Sequence, residues 1–129
     1  MAVSQNFCDF WCMMEKNELR RFVRACAERY DAHEREDISG RILERIEQMP
    51  EFQSAERIAL YWSLPNEVAT HRFVERWCGS KRIYLPVMQG EELLLRRYVD
   101  SSQLQEACFG VFEPSEGESV LLSELDLIV

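Results

Sequence analysis

The stretch that most restricts the fold runs from Arg57 to Val87. It reads RIALYW, then SLPNEVA, then HRFVERWC, then, after a short break, RIYLPV. Two short apolar runs flank a segment in which Phe73, Val74 and Trp77 share one face at helical spacing. Pro65 breaks the loop after the first run, Thr70 is placed to cap the helix, and Gly79 is placed to end it. Strands that alternate with helices imply a parallel or mixed sheet with helices on its faces.

The flanking sequence extends this pattern. EKNELRRFVRACAERYDAHERED sets Leu19, Phe22, Val23, Cys26, Ala27 and Tyr30 on one apolar stripe. ISGRILERIEQMPEF gives a second amphipathic helix through Ile38, Ile42, Leu43, Ile46 and Met49, with Pro50 as its stop. After RIYLPV, MQGEE is a turn, and LLLRRYV is a strand able to fold back as a hairpin through Gly90. SSQLQEA is expected as a short helix or turn, CFGVFEP as irregular, SEGES as a polar loop, and ELDLIV as the last strand. The expected fold is one α/β domain over residues 14–129, with a parallel or mixed sheet and helices on both faces. Residues 1–13 are expected to be a disordered extension, with Met14 as the natural start.

A net charge of −8 argues against a general nucleic-acid binder, which needs clustered Lys and Arg. It leaves room for an anionic small ligand held by a few placed cations. The cysteines, Cys8, Cys12, Cys26, Cys78 and Cys108, are odd in number and form no CxxC pair. They read as reduced structural thiols in a reducing compartment, hence a cytoplasmic protein. No apolar run approaches the length of a membrane span, and MAVSQNFCDFWCMM lacks the basic start of a signal peptide.

Three places could carry chemistry. Lys16, Arg20 and Arg24 recur every fourth residue and so share a helix face, either as a solvated surface or as a phosphate clamp. YWSLPNEVATHRF leaves a strand and enters a helix, where sites of α/β sheets form. There Glu67 is either a surface acid or an acceptor for a ligand's amino and ring N–H groups, while Tyr61 and Trp62 alternate along the strand. In CFGVFEP, Gly110 permits a conformation that would aim Phe109 into a cavity, against the plainer reading of a turn. His33 and His71 lie in charged helical contexts, and no Ser/His/Asp set, GxGxxG or GxxxxGK[ST] occurs. The residues alone give a soluble α/β domain and leave the binding of a small anion open.

EKNELRRFVR, RIALYWSLPNEVATHRFVERW, KRIYLPV, ELLLRRY, FGVFEP and LDLIV, in this order, resemble the N-terminal two-thirds of the 5-formyltetrahydrofolate cyclo-ligase (methenyltetrahydrofolate synthetase) family, from about Glu15 to Val129. The resemblance implies a three-layer α/β/α fold akin to those of sugar-phosphate isomerases and CoA-transferases. It implies ATP- and Mg²⁺-dependent cyclisation of 5-formyltetrahydrofolate to 5,10-methenyltetrahydrofolate in one-carbon metabolism, through a phosphorylated formyl intermediate. Lys16 and Arg20 match positions that contact ATP phosphates. Glu67 matches the acid that binds the folate, and Tyr61, Leu64 and Phe109 match its pocket lining. No catalytic residue or metal ligand is carried over. The substrate would be bound in its monoglutamate or polyglutamate form, without nucleic-acid or membrane partners.

In the family, the strand resembling LDLIV leads into a basic, glycine-rich segment that wraps the ATP phosphates and the metal. That segment is not among these residues, so the 129-residue chain alone is expected to be inactive or nearly so, and either unstable or oligomeric through the strand edge beside LDLIV. Two other readings compete. One is a non-catalytic folate-binding module without a nucleotide site. The other is an isomerase-like or CoA-transferase-like domain, which SLPNEVATHRF and FGVFEP speak against.

Overall fold

The computed structural model describes residues 15–129, and the expected extension lies outside them. The chain divides into two compact units between Glu34 and Arg35. The first contains α1, Lys16–Ala27, an exposed amphipathic helix that stops short of Tyr30. Next comes α2, Ala32–Glu47, which runs across the boundary and begins well before the expected Ile38. The cause is local. Asp31 and Glu34 form a capping box, in which the Glu34 N–H donates to the Asp31 carboxylate at 2.8 Å and the Asp31 N–H to Glu34 at 2.9 Å.

In the second unit α2 gives way to α3, Pro50–Ser54. Pro50 opens this short helix rather than merely stopping its predecessor, because a first-turn N–H has no helical partner to lose. Then follow β1 (Arg57–Ala59), α4 (His71–Trp77), β2 (Arg82–Gln89) and β3 (Glu92–Tyr98). The chain ends with β4 (Leu104–Glu106), β5 (Phe112–Pro114), β6 (Ser119–Val120) and β7 (Leu127–Ile128).

The main sheet has the order β6-β3-β2-β1-β7. β1 pairs in parallel with β2 and with β7, so the sheet is mixed, as the sequence implies. The hairpin of β2 and β3 turns at Gly90, whose φ of +62° suits a residue without Cβ. RIALYW is shorter as a strand than expected, since β1 stops at Ala59 and Tyr61 and Trp62 lie beyond it. SSQLQEA makes a helical turn and then a strand, β4, which pairs with β5 in a second small sheet.

Side chains on alternate strand positions face opposite sides of the sheet. Ile58, Leu60, Ile83, Leu85 and Tyr98 share a core with Leu43, Phe52, Phe73 and Val74 from the helices. Ala59, Tyr84 and Leu95 form a second cluster, packed by Val120 and Leu125. Each large apolar side chain so buried contributes about 1.5–3 kcal/mol relative to exposure. Phe52 is at the centre of the helical side, edge-on to Trp77 with ring centroids 5.0 Å apart.

Candidate functional site

β1, β2 and β7 run in the same direction, so their carboxyl ends form one edge of the sheet. Ligands of α/β proteins gather at such an edge. The segment leaving β1 is a closed loop from Tyr61 to Thr70, and its backbone is fixed by side chains rather than by regular structure. The Ser63 N–H donates to Thr70 Oγ1 at 3.1 Å, and the Thr70 N–H donates back to Ser63 Oγ at 3.0 Å. Thr70 Oγ1 donates in turn to the Tyr61 carbonyl at 2.6 Å. Thr70 thus stands at the start of α4 without capping it through its side chain, because its hydroxyl is spent on the loop. Ser39 of α2 accepts the Ala69 N–H at 3.0 Å, which ties the loop to that helix.

Three of the sequence-predicted residues come together here. The Leu64 N–H donates to Glu67 Oε2 at 2.9 Å, and the Glu67 N–H donates to the Leu64 carbonyl at 3.1 Å. This is the only hydrogen bond of the Glu67 carboxylate among the described residues, and the side chain is exposed, so its other oxygen can accept from a ligand. The Tyr61 hydroxyl donates to the Val68 carbonyl at 3.3 Å across the loop. Burial, followed by the nearby Glu67 charge, raises the Tyr61 phenol above its ordinary pKa, so it remains a donor at neutral pH.

Phe109 lies in a turn, Cys108–Gly110, between β4 and β5. The expectation that Gly110 aims it into a cavity is corrected. Phe109 itself adopts the left-handed conformation (φ +62°) and its side chain is 98% exposed. The hairpin that carries it is nonetheless anchored at the edge of the sheet. Buried Glu113 of β5 accepts the N–H of Met88, near the end of β2, at 3.1 Å. Lys16 and Arg20 are exposed on α1, one turn apart, in the first unit.

Some of the architecture escapes a reading of the sequence. Trp62 stacks on His71 with centroids 4.1 Å apart and planes 12° apart, and His71 Nε2 lies 2.9 Å from the Ser63 carbonyl. Ser39, a small polar residue on an otherwise apolar stripe, is the one visible hint of the tie to α2. Among the described residues no three His, Cys, Asp or Glu side chains converge to hold a metal ion. No described helix is long and apolar enough to cross a membrane.

Comparison with known proteins gives the same family from three directions. The model of the 5-formyltetrahydrofolate cyclo-ligase family matches residues 12–129. The 5-formyltetrahydrofolate cyclo-ligase of Haemophilus influenzae is 32% identical over 120 residues, covering 88% of this chain and 62% of the relative. The NMR structure of Aquifex aeolicus 5,10-methenyltetrahydrofolate synthetase superposes with a TM-score of 0.80 at 30% identity, covering 89% of this chain and 59% of that one. The chain therefore spans about three-fifths of the length of these relatives. Its mixed sheet, its helices and the ordered segments along it have one common explanation: the chain belongs to the 5-formyltetrahydrofolate cyclo-ligase family.

Proposed function

We propose that the protein containing this chain converts 5-formyltetrahydrofolate to 5,10-methenyltetrahydrofolate in an ATP-dependent ring closure. The observation that carries this reading is the braced Tyr61–Thr70 loop at the carboxyl end of β1, which presents an acceptor oxygen of Glu67. Glu67 binds amino and ring N–H groups of the folate, and Tyr61, Leu64 and Phe109 bear on its rings. Lys16 and Arg20 suit ATP phosphates, because both are exposed cations on one face of α1. Mg²⁺ would neutralise charge on the ATP phosphates, and no metal ligand is assigned to residues of this chain.

The chemistry asks for positioning more than for covalent catalysis. The formyl oxygen attacks the γ-phosphorus of ATP and ADP leaves. N10 then attacks the activated formyl carbon, and the loss of phosphate and of the N10 proton completes the ring. The same reading puts the protein in the cytoplasm and takes the folate in monoglutamate or polyglutamate form. For the 129-residue chain by itself, pairing of two copies along β7, which is last in the sheet order among the described residues, is the form of self-association proposed.

The test compares the 129-residue chain with one extended to the length of the relatives, each supplied with 5-formyltetrahydrofolate, ATP and Mg²⁺. Turnover by the extended chain alone, abolished or strongly reduced by Glu67→Gln, is the expected result. Folate binding without turnover in both would favour a binding module. Full turnover by the 129 residues would refute the assignment of nucleotide contacts outside them.

A further inference from the structure

His71 is the first residue of α4, and its imidazole bends back over the loop that precedes it. Two contacts of different kinds fix it. One is the face-to-face stack on Trp62, at 4.1 Å and 12°. The other is the 2.9 Å contact from Nε2 to the Ser63 carbonyl. A carbonyl only accepts, so Nε2 carries the proton and donates. Ser63 is buried, and its N–H and hydroxyl are already engaged with Thr70. The carbonyl, its remaining backbone group, is met by His71, and a buried carbonyl left without a donor is costly.

The far side of this arrangement is also held. Trp62 packs against buried Tyr98 of β3, with centroids 5.6 Å apart. The loop is therefore gripped between the start of α4 and the sheet, directly between Tyr61 and Leu64. A group that holds a ligand by hydrogen bonds must stay within bonding distance and angle, so a displaced loop weakens recognition. None of the contacts His71 makes here reaches the ligand-facing oxygen of Glu67, so its effect passes through the shape of the loop.

We infer that His71, stacked on Trp62 and bonded to the Ser63 carbonyl, is a positioning residue that holds the Tyr61–Thr70 loop in its folate-binding shape. The inference rests on the folate reading above. It goes further in assigning affinity for the formyl-folate, as distinct from ATP, to a residue that does not touch the ligand.

The experiment uses the natural protein that contains this sequence, with His71→Ala, His71→Phe and His71→Gln. Phe keeps a stacking ring and loses the donor, whereas Gln keeps a donor and loses the ring. KM for 5-formyltetrahydrofolate should rise about ten-fold in His71→Ala, the factor expected for one lost hydrogen bond's worth of positioning. It should rise less in His71→Phe and His71→Gln, with kcat and KM for ATP within two-fold of the parent throughout. Thermal melts identify any variant that fails to fold, and the two milder substitutions then decide. Unchanged KM for the folate in folded variants, or equal losses with both substrates, would overturn the inference alone. A parent protein that neither binds nor cyclises 5-formyltetrahydrofolate would overturn the folate reading and this inference with it.

Discussion

The carboxylate of Glu113 accepts the backbone N–H of Met88 at 3.1 Å, joining the small β4–β5 hairpin to the end of β2. Glu113 is only 7% exposed, so Glu113→Ala leaves the Met88 N–H without this acceptor in a dry setting. The expected cost is about 1–3 kcal/mol of unfolding free energy. Urea denaturation measures it, and an unchanged midpoint would show that water replaces the carboxylate freely.

Phe109 is a case in which stability and function should diverge. A left-handed conformation costs a residue with Cβ roughly 1–2 kcal/mol, which glycine avoids. The exposed side chain returns little of that through packing. Phe109→Gly should therefore fold at least as stably as the parent while binding 5-formyltetrahydrofolate more weakly. Thermal melting and a folate titration on the same sample check both halves.

Gly117 and Gly90 both have positive φ, but their surroundings differ. A Cβ on Gly117 would lie 2.9 Å from the Arg97 carbonyl oxygen, whereas at Gly90 nothing lies within 4 Å. Gly90→Ala should cost about 1 kcal/mol from backbone conformation alone. Gly117→Ala should cost more, because strand backbone must also shift. Equal losses in paired denaturation curves would count against the steric account.

Asp126 accepts the N–H groups of Arg57 at 2.8 Å and Glu56 at 3.0 Å, and these bonds hold its carboxyl below the ordinary aspartate value. Its folded pKa is depressed, so its contribution is fully present above the unfolded value near 3.8 and is lost as pH falls through the folded value. Asp100, lowered by its bonds to Ser102, adds a contribution of the same sign. Asp126→Asn should flatten the acid side of the stability profile, measured as denaturant midpoints between about pH 6 and pH 3. A parallel displacement of the whole curve would contradict it.

Lys81 donates to the carbonyls of Gln53 at 3.1 Å and Ala55 at 2.6 Å, with its ammonium over the rings of Phe52 and Trp77. Lys81→Met retains the apolar stem and loses the charge. Charge-assisted bonds of this kind contribute about 1.5–3 kcal/mol, and a destabilisation in that range is expected by chemical denaturation.

The parts of this fold legible in the sequence are those with a period. The β1–α4–β2 unit and the Gly90 hairpin follow from alternation, helical spacing and a glycine where φ must be positive. The early start of α2 is written in the Asp31–Glu34 box, although the apolar stripe draws the eye to Ile38. β4 is hidden, because three residues in a polar stretch carry no pattern and gain strand form only by pairing with β5. Tyr61, Leu64 and Glu67 are close in sequence, so their meeting in one loop could be read. The contribution of Ser39 and the placement of Phe109 depend on tertiary contacts and on a backbone angle, and neither leaves a local signature.

β1 has only three residues, yet it lies between two parallel neighbours, the next strand β2 and the far later β7. Arg57 and Asp126, which meet at its start, are 69 positions apart. The β2–β3 hairpin closes across a short turn, whereas closing the span to β7 costs far more chain entropy. Refolding is therefore expected to form the hairpin before β1 pairs with β7, an order that pulsed hydrogen exchange would check. A substitution in β7 therefore reaches, through β1, the loop that carries Glu67, although the two are far apart in the chain.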